Sequence, residues 1–82
     1  MCDLIKTRIV EKMLFSGYIG AKHTNENNIP KGFPRSEWGK IREKLKELER
    51  KGIFIVKPTH YGKELSLNPR MEEQIKETLA GC

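Results

Sequence analysis

The sequence predicts a single α+β domain of 82 residues, with helices gathered around one short β-hairpin. Three observations predict it. A Lys- and Arg-rich segment, PRSEWGKIREKLKELERKG, places its apolar residues at helical spacing. It runs directly into IFIVKPTHYGKELSLNP, two strand-like runs around a Tyr-Gly turn. Further apolar residues at helical spacing open and close the chain.

The first helix is expected over residues 3–16. Asp3 is placed to cap it, and Leu4, Ile5, Ile9, Met13 and Leu14 recur at helical spacing, with Lys6, Arg8, Glu11 and Lys12 on the other side. Gly17 ends it, Gly20 marks a second break, and Tyr18-Ile19 between them reads as a small first strand supporting the hairpin. The segment AKHTNENNIPKGF is polar. Thr24, Asn25 and Glu26 signal the start of a short second helix over 25–31, limited by Pro30, which disfavours helix in the residues before it. An ordered loop is the alternative there.

A third helix is expected over 34–51. Pro34 stands at its start, where a missing N–H leaves nothing unsatisfied, and Ser36 is available as a cap if the helix begins one turn later. Trp38, Ile41, Leu45 and Leu48 form its inward stripe, and Gly52 closes it. Strands follow over 53–57 and 63–67. The first is β-branched and aromatic; in the second, Leu65 and Leu67 alternate with Glu64 and Ser66. Asn68 as cap and Pro69 at the first helical position then start a C-terminal helix over 69–80, with Met71, Ile75 and Leu79 four residues apart.

The net charge of +5 favours a polyanionic partner, through attraction and counterion release. The charge is also localised. Residues 31–51 hold eight Lys or Arg against four Glu, and residues 52–70 hold three against one, whereas residues 71–82 hold one against three. A positive field that follows the third helix and the hairpin marks a binding face. No apolar run approaches a membrane span, and residues 1–20 carry Asp3, Lys6, Arg8, Glu11 and Lys12 where a signal peptide would be apolar. A cytoplasmic location without membrane association is expected. The two cysteines, Cys2 and Cys82, have no CxxC neighbour and no His at ligand spacing, so no metal site is legible. In a reducing compartment they are expected as free thiols; a bond between them, or between molecules on oxidation, is the alternative.

An active site needs a convergent set of reactive groups. His23 and His60 stand alone, the Glu residues of the third helix lie among lysines at salt-bridge spacing, and no phosphate-binding glycine loop occurs. A non-catalytic protein with no cofactor and no small-molecule substrate is expected. On the third helix, Arg35, Ser36, Gly39 and Lys40 are the candidates for DNA base edges, because short or basic side chains there permit close approach. Gly39 costs up to about 1 kcal/mol of helix stability relative to Ala. Close approach of DNA explains that cost, and so does a neighbouring helix pressed against it. Glu43 and Glu47 oppose insertion of the full helix, so its N-terminal half is expected to dock. Lys31, Arg42, Lys44, Lys46, Lys57 and Lys63 are the candidates for phosphate contacts. Thr59, His60 and Tyr61 form a wing tip, with Tyr61 either reaching the nucleic acid or packed beside the turn. Met71, Ile75 and Leu79 offer a homodimer surface, or alternatively pack on the first helix within one chain.

Gly32-Phe33-Pro34 before a Lys/Leu-rich helix, Lys51-Gly52 at its end, Lys57-Pro58, Tyr61-Gly62 and Ser66 to Pro69 together resemble small stand-alone archaeal winged helix-turn-helix proteins, over residues 19–69. The resemblance implies a helix-helix-helix-strand-strand order and transcription-regulator-like activity. It also implies that helix 34–51 and wing 57–63 face double-stranded DNA. The polar second helix departs from the usual apolar scaffold helix. An RNA-binding module and a protein-docking winged helix within a larger complex are the competing readings.

Overall fold

In the computed structural model, which describes residues 3–80, the chain opens with helix α1 (Leu4–Phe15). The Asp3 carboxylate caps it by accepting from the Lys6 backbone N–H at 3.2 Å. Strand β1 (Thr24–Asn25), helix α2 (Trp38–Arg50), strands β2 (Phe54–Thr59) and β3 (Gly62–Leu67) and helix α3 (Glu72–Ala80) follow. The chain is thus an α+β fold with a three-stranded antiparallel sheet in the order β1-β3-β2. Cys2 and Cys82 lie outside the described residues.

The expected second helix over 25–31 is absent. Two three-residue 3₁₀ turns, Glu26–Asn28 and Pro30–Gly32, stand there instead. Pro30 has no N–H to donate and its ring clashes with a preceding helical turn, while the Asn25 side chain accepts from Asn27 N and closes a local turn. Ile29, Pro30 and Phe33 are nevertheless buried, so the segment fills its place in the core without a helix. The first strand is also displaced. Thr24 and Asn25 pair with Leu65 and Glu64, whereas Ile19 makes a single parallel bridge to Leu67.

The third expected helix begins later than its sequence suggests. A 3₁₀ turn, Arg35–Glu37, precedes α2, and Ser36 supplies no cap. Trp38, expected in the core, is half-buried and donates from Nε1 to the Phe33 carbonyl at 3.0 Å, while Phe33 itself is buried. Gly52 turns the chain with φ +78°, a region glycine enters without steric cost.

The hairpin reaches further toward its tip than expected: β2 runs two residues past 57 and β3 begins one residue before 63. Its register runs from Phe54↔Leu67 to Thr59↔Gly62. Thr59 Oγ1 donates to Gly62 O at 2.8 Å, and Gly62 adopts φ +120°, which explains why glycine follows Tyr61. Asn68 accepts from Arg70 N at 3.0 Å and starts the last helical segment as expected.

One core joins the three helices and the hairpin: Ile9, Val10 and Met13 from α1, Ile41, Leu45 and Leu48 from α2, Ile53, Phe54, Leu65 and Leu67 from the hairpin and the residue before it, and Ile75 from α3, with Ile29 and Phe33 from the segment between β1 and α2. Leu4, expected inside, is instead exposed. Helix α3 packs on α1, and Thr7 Oγ1 donates to the Thr78 carbonyl at 2.8 Å. Ile75 is buried and Met71 and Leu79 pack against the core, so the surface expected to join two copies is occupied within one chain. The apolar period of four was real; α1 is its partner.

Candidate nucleic-acid interface

Helix α2 divides into an inward stripe, an outward ridge and two flanks, and its contacts identify each. Ile41, Leu45 and Leu48 are buried. At 100° per residue the opposite face carries Gly39, Glu43, Lys46 and Arg50, all exposed. Lys44 and Glu47 lie on the flank toward α1, since Glu47 meets Lys6 Nζ at 2.9 Å and Lys44 meets Asp3 at 3.1 Å. Glu49 lies on the flank toward the hairpin, where Lys63 Nζ meets it at 3.1 Å.

This division sorts the candidate residues. Lys40 shares the α1 flank with Lys44 and Glu47, so it does not converge with the wing as expected. Arg35 is exposed on the 3₁₀ turn with its guanidinium over the Trp38 ring, 5.5 Å from the centroid. Ser36 is exposed. Gly39 has no atom within 4 Å of the place a Cβ would occupy, so no neighbouring helix presses on it and its surface is open.

Lys44 is held between Asp3 and, at 3.4 Å, Glu47. It serves the α1–α2 joint, and its ammonium is not available to phosphate as expected. Lys63 is likewise engaged by Glu49. Strand alternation puts Lys57, opposite Glu64, on the hairpin face away from Lys63, so the two wing lysines point in opposite directions. Lys31 is exposed on its 3₁₀ turn. At the wing tip, Thr59 spends its hydroxyl on the turn, while His60 is exposed and Tyr61, 87% exposed, stands outward.

What remains is a basic ridge on α2. Arg42, Lys46 and Arg50 recur every four residues, about 6 Å apart along the axis. All are exposed, and none forms an ion pair among the described residues. Arg50 was missed as a phosphate candidate, although its spacing from Arg42 and Lys46 was legible. Glu47, expected to repel phosphate from the outward face, is turned to Lys6 and Lys44 and opposes nothing there. Glu43 is the one carboxylate left on the outward face.

The charges of the α1–α2 joint hold one another ionised. For Asp3, burial pushes the carboxyl up, but the Lys6 backbone N–H and the Lys44 ammonium outweigh it and set the group below its ordinary value. The hydrogen bond from Lys6 holds Glu47 down against the opposing effect of burial. The hydrogen bond to Asp3 raises Lys44.

Elsewhere, an open hollow of about 1090 Å³ lies at the end of α1, with Met13, Leu14, Tyr18, Ile29 and Leu79 among its lining. Glu11, Lys12, Ser16 and Thr24 contribute to its polar lining. Among the described residues no group of three His, Cys, Asp or Glu is placed to hold a metal ion. Comparison with protein families, with curated proteins and with solved structures finds no match to this chain.

Proposed function

We propose that this chain is a winged helix-turn-helix that binds double-stranded DNA without catalysing a reaction, in the manner of a transcription regulator. The observation that carries the reading is the Arg42–Lys46–Arg50 ridge, three exposed cations with no ion-pair partner among the described residues, running from the hairpin flank of α2 onto its outward face. A regular file of guanidinium and ammonium groups on a helix suits phosphates, which are fixed in position and give up counterions on contact. The succession of α1, α2 and a hairpin, with a small strand pairing on β3, supports the fold assignment; the two 3₁₀ turns where a second helix would stand depart from it. The open surface over Gly39 gives bases access next to the ridge, and Arg35 is available at the same end of the helix. Tyr61 and His60 at the wing tip are placed to meet a sugar or the minor groove, with Lys57 behind them. Lys31 and Lys40 lie outside the ridge and would add long-range attraction. The reading sets the protein in the cytoplasm; no helix among the described residues is long and apolar enough to cross a membrane.

Fluorescence anisotropy with a random-sequence duplex tests it. The triple replacement of Arg42, Lys46 and Arg50 by Ala is expected to cut affinity at least tenfold and to flatten the dependence of log K on log salt by about 2 to 3, since each phosphate contact contributes about 0.9 to the slope. Thermal unfolding should not move, because none of the three holds the fold together. Unchanged binding would move the interface off α2. Tighter binding of structured RNA than of duplex DNA at matched salt would reassign the ridge to RNA.

A further inference from the structure

The outward face of α1 carries a pattern that its own chain does not use. Leu4, Arg8, Glu11 and Phe15 follow one another at spacings of four, three and four residues, the spacing of a stripe that packs against another helix. They lie opposite the buried Ile9, Val10 and Met13. All four are exposed, Leu4 at 51% and Phe15 at 96%, and neither Arg8 nor Glu11 has a hydrogen bond or ion pair among the described residues. A phenylalanine that bare at the end of a helix costs apolar exposure for no internal return.

The order of the four residues identifies the partner. Reversed, the stripe reads apolar, acidic, basic, apolar. An antiparallel copy related by a two-fold axis between positions 9 and 10 therefore sets Arg8 against the partner's Glu11 and Leu4 against the partner's Phe15, and each pair occurs twice. A parallel copy would oppose Arg8 to arginine and Glu11 to glutamate. Self-complementarity of this kind is what an isologous two-fold interface requires. We infer that α1 is a homodimerisation helix, pairing antiparallel with α1 of a second copy through Leu4, Arg8, Glu11 and Phe15. A second copy fits where a different protein would have no reason to mirror the charge order. The inference does not depend on the DNA-binding reading. The contact rests on four side chains from each copy, so the dimer is expected to be weak and concentration-dependent.

Sedimentation velocity of the whole chain, from micromolar to about 1 mM, reads it out. The wild type is expected to shift from monomer to dimer over that range. Phe15→Glu should remain monomeric throughout with an unchanged melting temperature, since its ring touches nothing that the fold needs. Arg8→Glu alone should weaken association at least tenfold by opposing two carboxylates, and Arg8→Glu with Glu11→Arg should restore it, because the exchanged charges meet again across the axis. A wild type that stays monomeric at every concentration overturns the proposal and leaves this face to a partner of another sequence. So does a dimer that survives Phe15→Glu, or a double exchange that fails to restore association.

Discussion

At the scale of single residues, Gly39 decides between two accounts of why a glycine sits in a helix. A packing role is excluded by the open space around it. What is left is an intrinsic cost accepted at the surface. Gly39→Ala is therefore expected to stabilise the protein by up to about 1 kcal/mol, raising the melting temperature by roughly 4–8 °C for a domain of this size. If the helix approaches bases there, the same substitution weakens duplex binding. A variant that is more stable and binds DNA as tightly as the wild type would separate Gly39 from the interface. Trp38 and Phe33 teach a related lesson. The four-residue stripe including Trp38 was legible, but the indole N–H needs a partner and finds the Phe33 carbonyl at the rim. Phe33, which has no polar atom to satisfy, goes inside.

At the scale of elements, the joint between α1 and α2 is electrostatic at its edge. Asp3, Lys6, Lys44 and Glu47 form a continuous network whose closest contact is 2.9 Å. The lowered folded-state values of Asp3 and Glu47 fix its pH dependence. A carboxylate held below its unfolded value contributes stability that is complete above that value and is lost as pH falls through the folded one. With ordinary values of 3.8 and 4.5, this contribution to the melting temperature should be constant from neutral pH down to about 5 and decline below 4. Lys44, raised from 10.5, contributes below that pH and fails only in strong alkali. Replacing Lys44 with Met should make the acid limb of a melting-temperature profile shallower; an identical limb would mean that the network is thermodynamically silent.

The elements also show what sequence can disclose. α2 and the hairpin were legible because their signals are local: a helical stripe, a Gly52 terminator, a β-branched run, and a glycine where the backbone must enter positive φ. Strand β1 was not, because two residues, Thr24 and Asn25, become a strand only when Leu65 and Glu64 arrive from forty residues away. The sequence signals around 25–31 conflicted, and Pro30 with its asparagine neighbours prevailed over the helix start. The flanks of α2 were equally hidden. Helical spacing gives angles but not directions, so nothing in the sequence separated Lys40 and Lys44, on the α1 side, from Arg42, on the hairpin side.

At the scale of the whole molecule, one small core must hold every element, and chains of this length have little stability in reserve. Ile75 belongs to that core. Ile75→Asp, which would split a dimer had α3 formed its interface, instead places an unpaired carboxylate among apolar side chains. Such changes cost about 3–5 kcal/mol. Circular dichroism is expected to show a melt lowered by well over ten degrees, or no folded baseline at all. A melt that superimposes on the wild type would place Ile75 outside the core and return it to the surface.

Thr7 and Thr78 are joined by a hydrogen bond although seventy-one positions separate them. The opening helix therefore finds part of its lining only in the closing one. A chain that still lacks α3 therefore leaves that side of α1 uncovered, and contacts between the two ends of the domain are among the last that a growing chain is able to make.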